Sequence, residues 1–527
     1  GGKCIKCFCG AIVESGSTVG SFFINNSTIL LQSSFRAMIF GRFGLQNFTV
    51  LVENIIILEE KMKEPKEGIY DARQLGKAKM LILGIQHMFA MFGATILVPI
   101  LVGGYFKEAC GEPLTQGLTV AVTLFCAGVG TLIFHVCSKF KVPAFLGSSF
   151  AFLGGFYTVA NLKHGMYATM SANDKVAYAC GGIVVAGLLY LVVALIFKLV
   201  GVNRVMRFLP PVVTGPIIIC IGLSLAPSAI QNASTNWLIA FVALAVIIIF
   251  NIWGKGMFKI IPILMGVVIA YAFALILTAC GITNPNGKAI LDFTSISGAK
   301  WIGLPPFQMC KFDITSILVM APIAIATMME HVGDMSAISA TVGKNYIEDP
   351  GLHRTLLGDG LATAFAGFIG GPANTTYGEN TGVLELSRVY DPRVIRIAAV
   401  FAALLSFVPK FSAVISTMPA SIIGGVSFML YGMISAIGVR NVVENRVDLT
   451  KSRNLIIAGV IFVCGLGFSD GLTFKIGGAT ITLTALAVAA IAGILLNAIL
   501  PGNDYTFGKN PDGDQSRGVY VMNHDDK

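Results

Sequence analysis

The sequence predicts an all-α polytopic membrane protein, and three observations carry that prediction. Apolar residues make up 55% of the chain and charged residues only 12%, against roughly a quarter charged in soluble domains. Apolar runs recur from Met80 to Leu500, many near the ~20 residues that a spanning helix needs. On that length scale the region holds about fourteen apolar segments, two or more too short or too interrupted to span. Lipid is then the main solvent.

The chain opens with residues 1–61, which mix Ser, Phe, Ile and Asn without a clear period. They lack the basic start, apolar core and small-residue cleavage site of a signal peptide. They are expected to be a non-functional upstream extension or a mis-set start, with a targeting or anchoring segment as the alternative. Cys4-x-x-Cys7-x-Cys9 lies within them and lacks the second ligand pair of a zinc site. The remaining cysteines are scattered singly through or beside apolar segments, where a thiol behaves as a small hydrophobe. Residues 62–79 read as a short leader. The spans fill residues 80–500, and a long polar connection around Ile282–Lys311 divides them into two equal sets. Residues 501–527 form a polar tail of the kind expected to be disordered.

The formal charge of +9 does not point to nucleic acid, because the basic residues cluster in alternate short loops. Lys139 and Lys141 form one cluster; Lys198, Arg204 and Arg207 form the next; Lys255 and Lys259, then Lys344 and Arg354, follow. Arg388, Arg393 and Arg396, then Arg440, Arg446, Lys451 and Arg453, continue that side. The positive-inside rule makes these loops cytoplasmic, with both ends of the membrane domain on the same side.

The two halves echo each other. Pro143-Ala144-Phe145-Leu146-Gly147-Ser148-Ser149-Phe150 is answered by Pro372-Ala373-Asn374-Thr375-Thr376-Tyr377-Gly378-Glu379, with Phe150 and Glu379 at one offset. Gln86-His87 is answered by Glu330-His331, and Pro211 with Gly215 and Gly222 by Pro419 with Gly424 and Gly432. Matching interruptions mark a repeat-built carrier whose site lies where broken segments meet. Seven spans in each half is an odd number, so the halves are inverted relative to one another.

Glu379 is the costliest residue in this pattern, since a carboxylate at bilayer depth must face protein or a water-filled cavity. Pro372 and the small polar residues before Gly378 break the helix, and such backbone is tolerated at depth only where it is buried or lines a cavity. Glu330 and Asp334 stand four apart on one helix face, close enough that one of them is expected to hold a proton. The alternative places Asp334 at the cytoplasmic interface beside the Lys344 loop. His87 and His331 fit packing roles, each hydrogen-bonded to a neighbouring helix backbone. Asp359, between two glycines, fits a binding or a structural role equally. Helices restarting near Phe150 and Glu379 would offer free N–H donors, and Glu330 with Glu379 would offer acceptors. A flat ligand with ring N–H groups and carbonyls, stacked near Phe150 or Tyr377, matches both sets; uracil has that pattern.

These motifs resemble the uracil/xanthine permease family, also called nucleobase:cation symporter family 2 or nucleobase–ascorbate transporters. The resemblance runs from about Met80 to Leu500 on the membrane-domain ruler. It is carried by Gln86-His87-Met88-Phe89-Ala90-Met91-Phe92-Gly93-Ala94-Thr95, by the Pro143–Phe150 motif, by Glu330-His331-Val332-Gly333 and by Asn374-Thr375-Thr376-Tyr377-Gly378-Glu379-Asn380. It implies fourteen transmembrane segments as a 7+7 inverted repeat. A core domain (about 80–200 and 312–410) would work against a gate domain (about 201–280 and 411–500), with two half-helices preceded by short strands. It further implies a proton-coupled importer, not an enzyme, in the plasma (inner) membrane, commonly a homodimer. The coupling ion would be the proton rather than sodium, with no cofactor or metal. Phe150, Glu330, Gly378 and Glu379 would bind the base; Glu330, Asp334 and Tyr377 would couple the proton; Gln86, His87, His331, Asp359 and Asn380 would support them.

Within that resemblance, Tyr377-Gly378-Glu379 is similar to the uracil branch, whereas purine carriers tend to have Gln at the position of Glu379. Asp334 and Asp359 are similar to the xanthine and urate branch, the uracil branch often having His in place of Asp334. The direct base contact outweighs a residue one turn away, so uracil is the expected substrate and xanthine or urate the alternative. An anion exchanger of the same architecture is opposed by Glu330 and Glu379 in the cavity. A membrane-embedded enzyme using Glu330 and Asp334 lacks any accompanying nucleophile, metal motif or phosphate loop.

Overall fold

The computed structural model describes residues 68–502, apart from 164, 256, 286, 288, 469–470 and 477–478. The expected extension at 1–61, its cysteine motif and most of the polar tail lie outside the described residues, as does the first part of the 62–79 leader. Its remainder forms a short 3-10 turn, Ala72–Leu75, capped by Asp71. Arg73 lies 2.6 Å from Asp71 and holds that carboxyl well below the usual carboxylate range.

Helices α1 (Lys77–Cys110) and α2 (Val120–Cys137) come first. Strand β1 (Leu146–Ser148), a 3-10 turn at Phe150–Phe152 and the short helix α3 (Leu153–Ala160) follow. Then come α4 (Ala172–Val200), α5 (Pro211–Ser224), α6 (Ala226–Ser234), α7 (Trp237–Trp253) and α8 (Pro262–Ala279). After the long connection, α9 (Ile314–Met320) and α10 (Ile323–Val342) lead into α11 (Leu352–Phe368). Strand β2 (Asn374–Thr376) precedes α12 (Gly378–Ser387), α13 (Pro392–Leu405), α14 (Pro409–Ser416) and α15 (Ala420–Glu444). Helix α16 (Ser452–Gly467), the hairpin β3 (Leu472–Ile476)–β4 (Ala479–Leu483) and α17 (Ala485–Ile499) complete the described chain.

Among the described residues, seven helices are long and apolar enough to cross a membrane, or up to eight if the pair α13–α14, bent by 85°, is one span. Four apolar helices are shorter: Phe150–Ala160, Trp237–Trp253, Ser452–Gly467 and Ala485–Ile499. The difference from about fourteen apolar segments has a physical source: several segments are cut by strands or bends, and at 1.5 Å per residue a short helix alone cannot cross ~30 Å of hydrocarbon.

Helix packing follows the rule for lipid, where close approach of small residues replaces hydrophobic exclusion. A Cβ on Gly187 would meet the Gly360 carbonyl at 2.6 Å, and one on Gly360 would meet the Gly187 carbonyl at 2.8 Å, so α4 and α11 touch backbone to backbone. Gly215 and Gly438 bring α5 and α15 together in the same way. Helices α1, α2, α10 and α11 pack against the two strands, with α4 behind them on α11 and α13 on α1 and α2, while α5, α6, α7, α8, α15, α16 and α17 pack chiefly on one another.

Candidate functional site

The two motifs that echo in sequence meet in space. Strands β1 and β2 pair antiparallel, with Leu146 opposite Thr376, Gly147 opposite Thr375 and Ser148 opposite Asn374. Ser149 N–H donating to Ala373 O at 2.8 Å and Tyr377 N–H donating to Phe145 O at 3.0 Å extend the pairing. A two-stranded patch at this depth leaves edges open, and the preceding helices close them with threonines. Thr131 Oγ1 on α2 accepts from Leu146 N at 2.9 Å. Thr363 Oγ1 on α11 accepts from Asn374 N at 3.2 Å and donates to Asn374 O at 3.0 Å. Asn374 Nδ2 in turn donates to Cys126 O and Ala362 O, both at 3.2 Å.

Tyr377 locks the crossing. Its hydroxyl donates to Ser148 O at 2.9 Å, receives Thr95 Oγ1 at 3.3 Å and lies 3.2 Å from Ser148 Oγ. Its ring fills the space over Gly147, where a Cβ would collide with it. This buried tyrosine ties β1, β2 and α1 together.

From the crossing the chain restarts as helix on both sides. On one side Phe150 begins the 3-10 turn before α3; it is buried and meets Tyr431 of α15 edge-on, ring centres 6.0 Å apart. On the other, Gly378 and Glu379 open α12. Glu379 sits in the first turn, where the helix dipole favours a carboxylate. A Cβ on Gly378 would meet only Ile437 Cδ1, at 3.8 Å, so the N-terminus of α12 is open toward α15.

Helix α10 supplies the other carboxylates. Glu330 is half-buried, its Oε2 enclosed without a protein partner, and it lies within electrostatic reach of Asp334, Asp359 and Glu379. Asp334 accepts from Thr376 Oγ1 at 2.5 Å, which places it against β2 rather than in the Lys344 loop. His331 Nδ1 and Asp359 Oδ2 stand 2.9 Å apart, both side chains wholly buried, with the carboxylate off the axis of a straight ring N–H bond. Tyr190 donates to Thr327 Oγ1 at 2.6 Å, fastening α10 to α4. Asn380 Nδ2 donates to His87 O at 3.0 Å and lies 3.2 Å from His87 Nδ1. The expectation that both histidines bond helix backbone is thus corrected: each ring faces a side chain, because the strand crossing brings α1 to α12 and α10 to α11. Gln86 is half-buried beside His87 on α1.

The structure therefore gathers Phe150, Glu330, Asp334, Tyr377, Gly378 and Glu379 around one crossing, with His87, His331, Asp359 and Asn380 bracing it. Thr131, Thr363, Asn374, Thr376 and Ser148 were not singled out by sequence. The repetition of a threonine in the helix before each strand is the one signal that could have found Thr131 and Thr363.

Apolar spans around a crossing of two strand-led half-helices, lined by carboxylates, suit a membrane permease. A model of the permease family matches residues 78–473. Curated relatives include a uracil permease of Bacillus caldolyticus, 40% identical over 84% of this chain and 96% of the relative. Another uracil permease, from Bacillus subtilis, is 39% identical over 79% of this chain and 91% of the relative. A putative pyrimidine permease of Escherichia coli is 36% identical over 80% and 90%. This chain belongs to the uracil/xanthine permease family. Among solved structures, the transmembrane domain of the cyanobacterial bicarbonate transporter BicA matches with a TM-score of 0.50 at 16% identity, over 73% of this chain and 96% of that one. SLC26A9 matches with a TM-score of 0.53 at 12% identity, over 81% and 66%. At such identities the likeness is one of fold.

Proposed function

We propose that this protein imports uracil across the plasma membrane together with a proton. The observation that carries the reading is the convergence of Glu330 and Glu379 on the crossing that also presents Phe150 and Gly378. Free N–H groups at the starts of the half-helices suit the carbonyls of a base, and the two carboxylates suit its ring N–H groups. The relatives named as uracil and pyrimidine permeases support that choice. The mechanism follows from the charges. Three carboxylates, Glu330, Asp334 and Glu379, share one enclosed region, and a proton accompanying the neutral base relieves their repulsion. Tyr377 transmits the change between strands, and sodium is not required. Inverted sets of seven spans, a core (about 80–200 and 312–410) rocking on a gate (about 201–280 and 411–500), cytoplasmic ends and a homodimer complete the proposal.

Asp334 and Asp359 keep xanthine or urate as the second reading. Uptake of labelled uracil into proteoliposomes under an inward proton gradient tests the first, with thymine, xanthine, urate and guanine as competitors. Accumulation abolished by a protonophore and blocked best by uracil is expected. Uptake that ignores the proton gradient would refute coupling, and stronger competition by xanthine would move the substrate to the purines.

A further inference from the structure

Lys175 is a buried cation that the transport reading leaves unused. It lies in the first turn of α4, is 5% exposed, and its ammonium donates to Ala160 O and Leu162 O, both at 2.9 Å. The neighbouring carboxylate does not neutralise it, since Asp174 pairs with Lys311 at 2.7 Å. Ala160 is the last residue of α3, the half-helix whose other end begins beside Phe150. A half-helix this short has few internal hydrogen bonds, and its final carbonyls have no intrahelical partner. The C-terminal end is also where the helix dipole is negative and a cation is favourable. Asn161 takes Tyr157 O through its side chain at 2.9 Å, leaving the Ala160 carbonyl to the lysine. The second half-helix ends differently: α12 closes on Arg388 in the left-handed conformation, its N–H bonded to Leu384 O.

We infer that Lys175 is a positioning residue for substrate binding, clamping the C-terminal end of α3 so that its opposite end holds Phe150 and the adjoining N–H groups in place. A buried charge in a membrane protein is costly and so calls for a specific role. Here the charge answers the dipole at one end of α3 while the ligand's carbonyl answers it at the other. The inference rests on the proposed contact between the base and the Phe150 segment.

The test is binding of labelled uracil to the full-length purified protein, with transport kinetics in liposomes, for the wild type and for Lys175→Met, Lys175→Gln and Lys175→Arg. Loss of the cation should weaken binding about tenfold, raise KM and leave kcat nearly unchanged, while Lys175→Arg restores affinity. Should Lys175→Met not purify as a monodisperse protein, Lys175→Gln is read in its place with the same expectation. Wild-type affinity in the neutral variants, or an arginine variant as weak as they are, overturns the inference. A wild-type protein that does not bind uracil overturns the substrate reading instead. Hydrogen exchange then decides the clamp: faster exchange at residues 149–160 than in wild type, with residues 376–387 unchanged, supports it, and equal exchange throughout overturns it.

Discussion

Gly147→Ala is a one-methyl perturbation aimed at the strand crossing. The three atoms nearest to a Cβ at Gly147 all belong to the Tyr377 ring, Cε2, Cζ and the hydroxyl, the last at 2.8 Å. A free ring would swing aside, but this one is fastened at its far end to Ser148 O at 2.9 Å and to Thr95 Oγ1 at 3.3 Å. The methyl therefore either breaks those bonds or pushes β1 away from β2, moving Gly378 and Glu379 with Tyr377. Overpacking a buried site costs about 1–3 kcal/mol. If the strain falls on the bound geometry, affinity drops roughly five- to 150-fold. Gly154→Ala is the internal control: it adds the same methyl to α3, where nothing lies within 4 Å, and a helical Gly-to-Ala change stabilises by about 0.5–1 kcal/mol. Equilibrium binding of labelled uracil to both purified variants reads the difference. Wild-type affinity in Gly147→Ala would refute the rigid coupling of Tyr377 to the site.

Four further outcomes are expected. Glu379→Gln and Glu330→Gln should each weaken uracil binding by about 1.5–3 kcal/mol, the range for a hydrogen bond to a charged group; isothermal titration checks this, and unchanged affinity removes the residue from the site. Thr376→Val deletes the donor to Asp334 while keeping the side-chain shape, so proton-driven uptake should fall more than equilibrium binding; equal losses would argue against a coupling role for Asp334. Asp391→Ala leaves the buried Ala72 N–H without its 2.7 Å acceptor and should destabilise the protein by about 1–3 kcal/mol, seen as earlier thermal unfolding with affinity retained. Lys141→Ala removes a pair with Asp349 whose side chains are 44% and 69% exposed, worth about 0–1 kcal/mol, so transport should stay near wild type.

What was legible in the sequence was what membranes make expensive. Glu379, Glu330 and the broken Pro-Ala motifs stand out because lipid penalises charge and open backbone, and the structure brings them to one crossing. The pairing of β1 with β2 residue by residue was not legible, because three-residue strands have no period to detect. His331 and Asp359 lie on successive helices, and nothing in either local pattern announces that they meet. Thr131 and Thr363 look like ordinary membrane threonines, which often bond their own helix. Lys175 was hidden for the opposite reason: in Asn173-Asp174-Lys175 it reads as a solvated loop residue, and only the fold turns its ammonium onto α3.

The geometry of the crossing sharpens the question of charge. A crossing of two half-helices directs two sets of unpaired N–H groups at one region, and such ends favour anions. In this chain the first turn of α12 carries its own carboxyl group, Glu379, and Glu330 and Asp334 add two more from α10. A permanently charged anion entering the same region would meet like charge at short range, which costs several kcal/mol across a desolvated contact. On the proposed reading a neutral base avoids that cost and uses the carboxylates as acceptors, while the end of α3 near Phe150 keeps its N–H groups for a carbonyl. Neutralising all three carboxylates together is then the decisive reversal. The triple variant Glu330→Gln, Asp334→Asn, Glu379→Gln should lose uracil binding and gain affinity for small anions, read by competition with labelled bicarbonate or chloride. No gain of anion binding would show that these carboxylates do not set the selectivity of the scaffold.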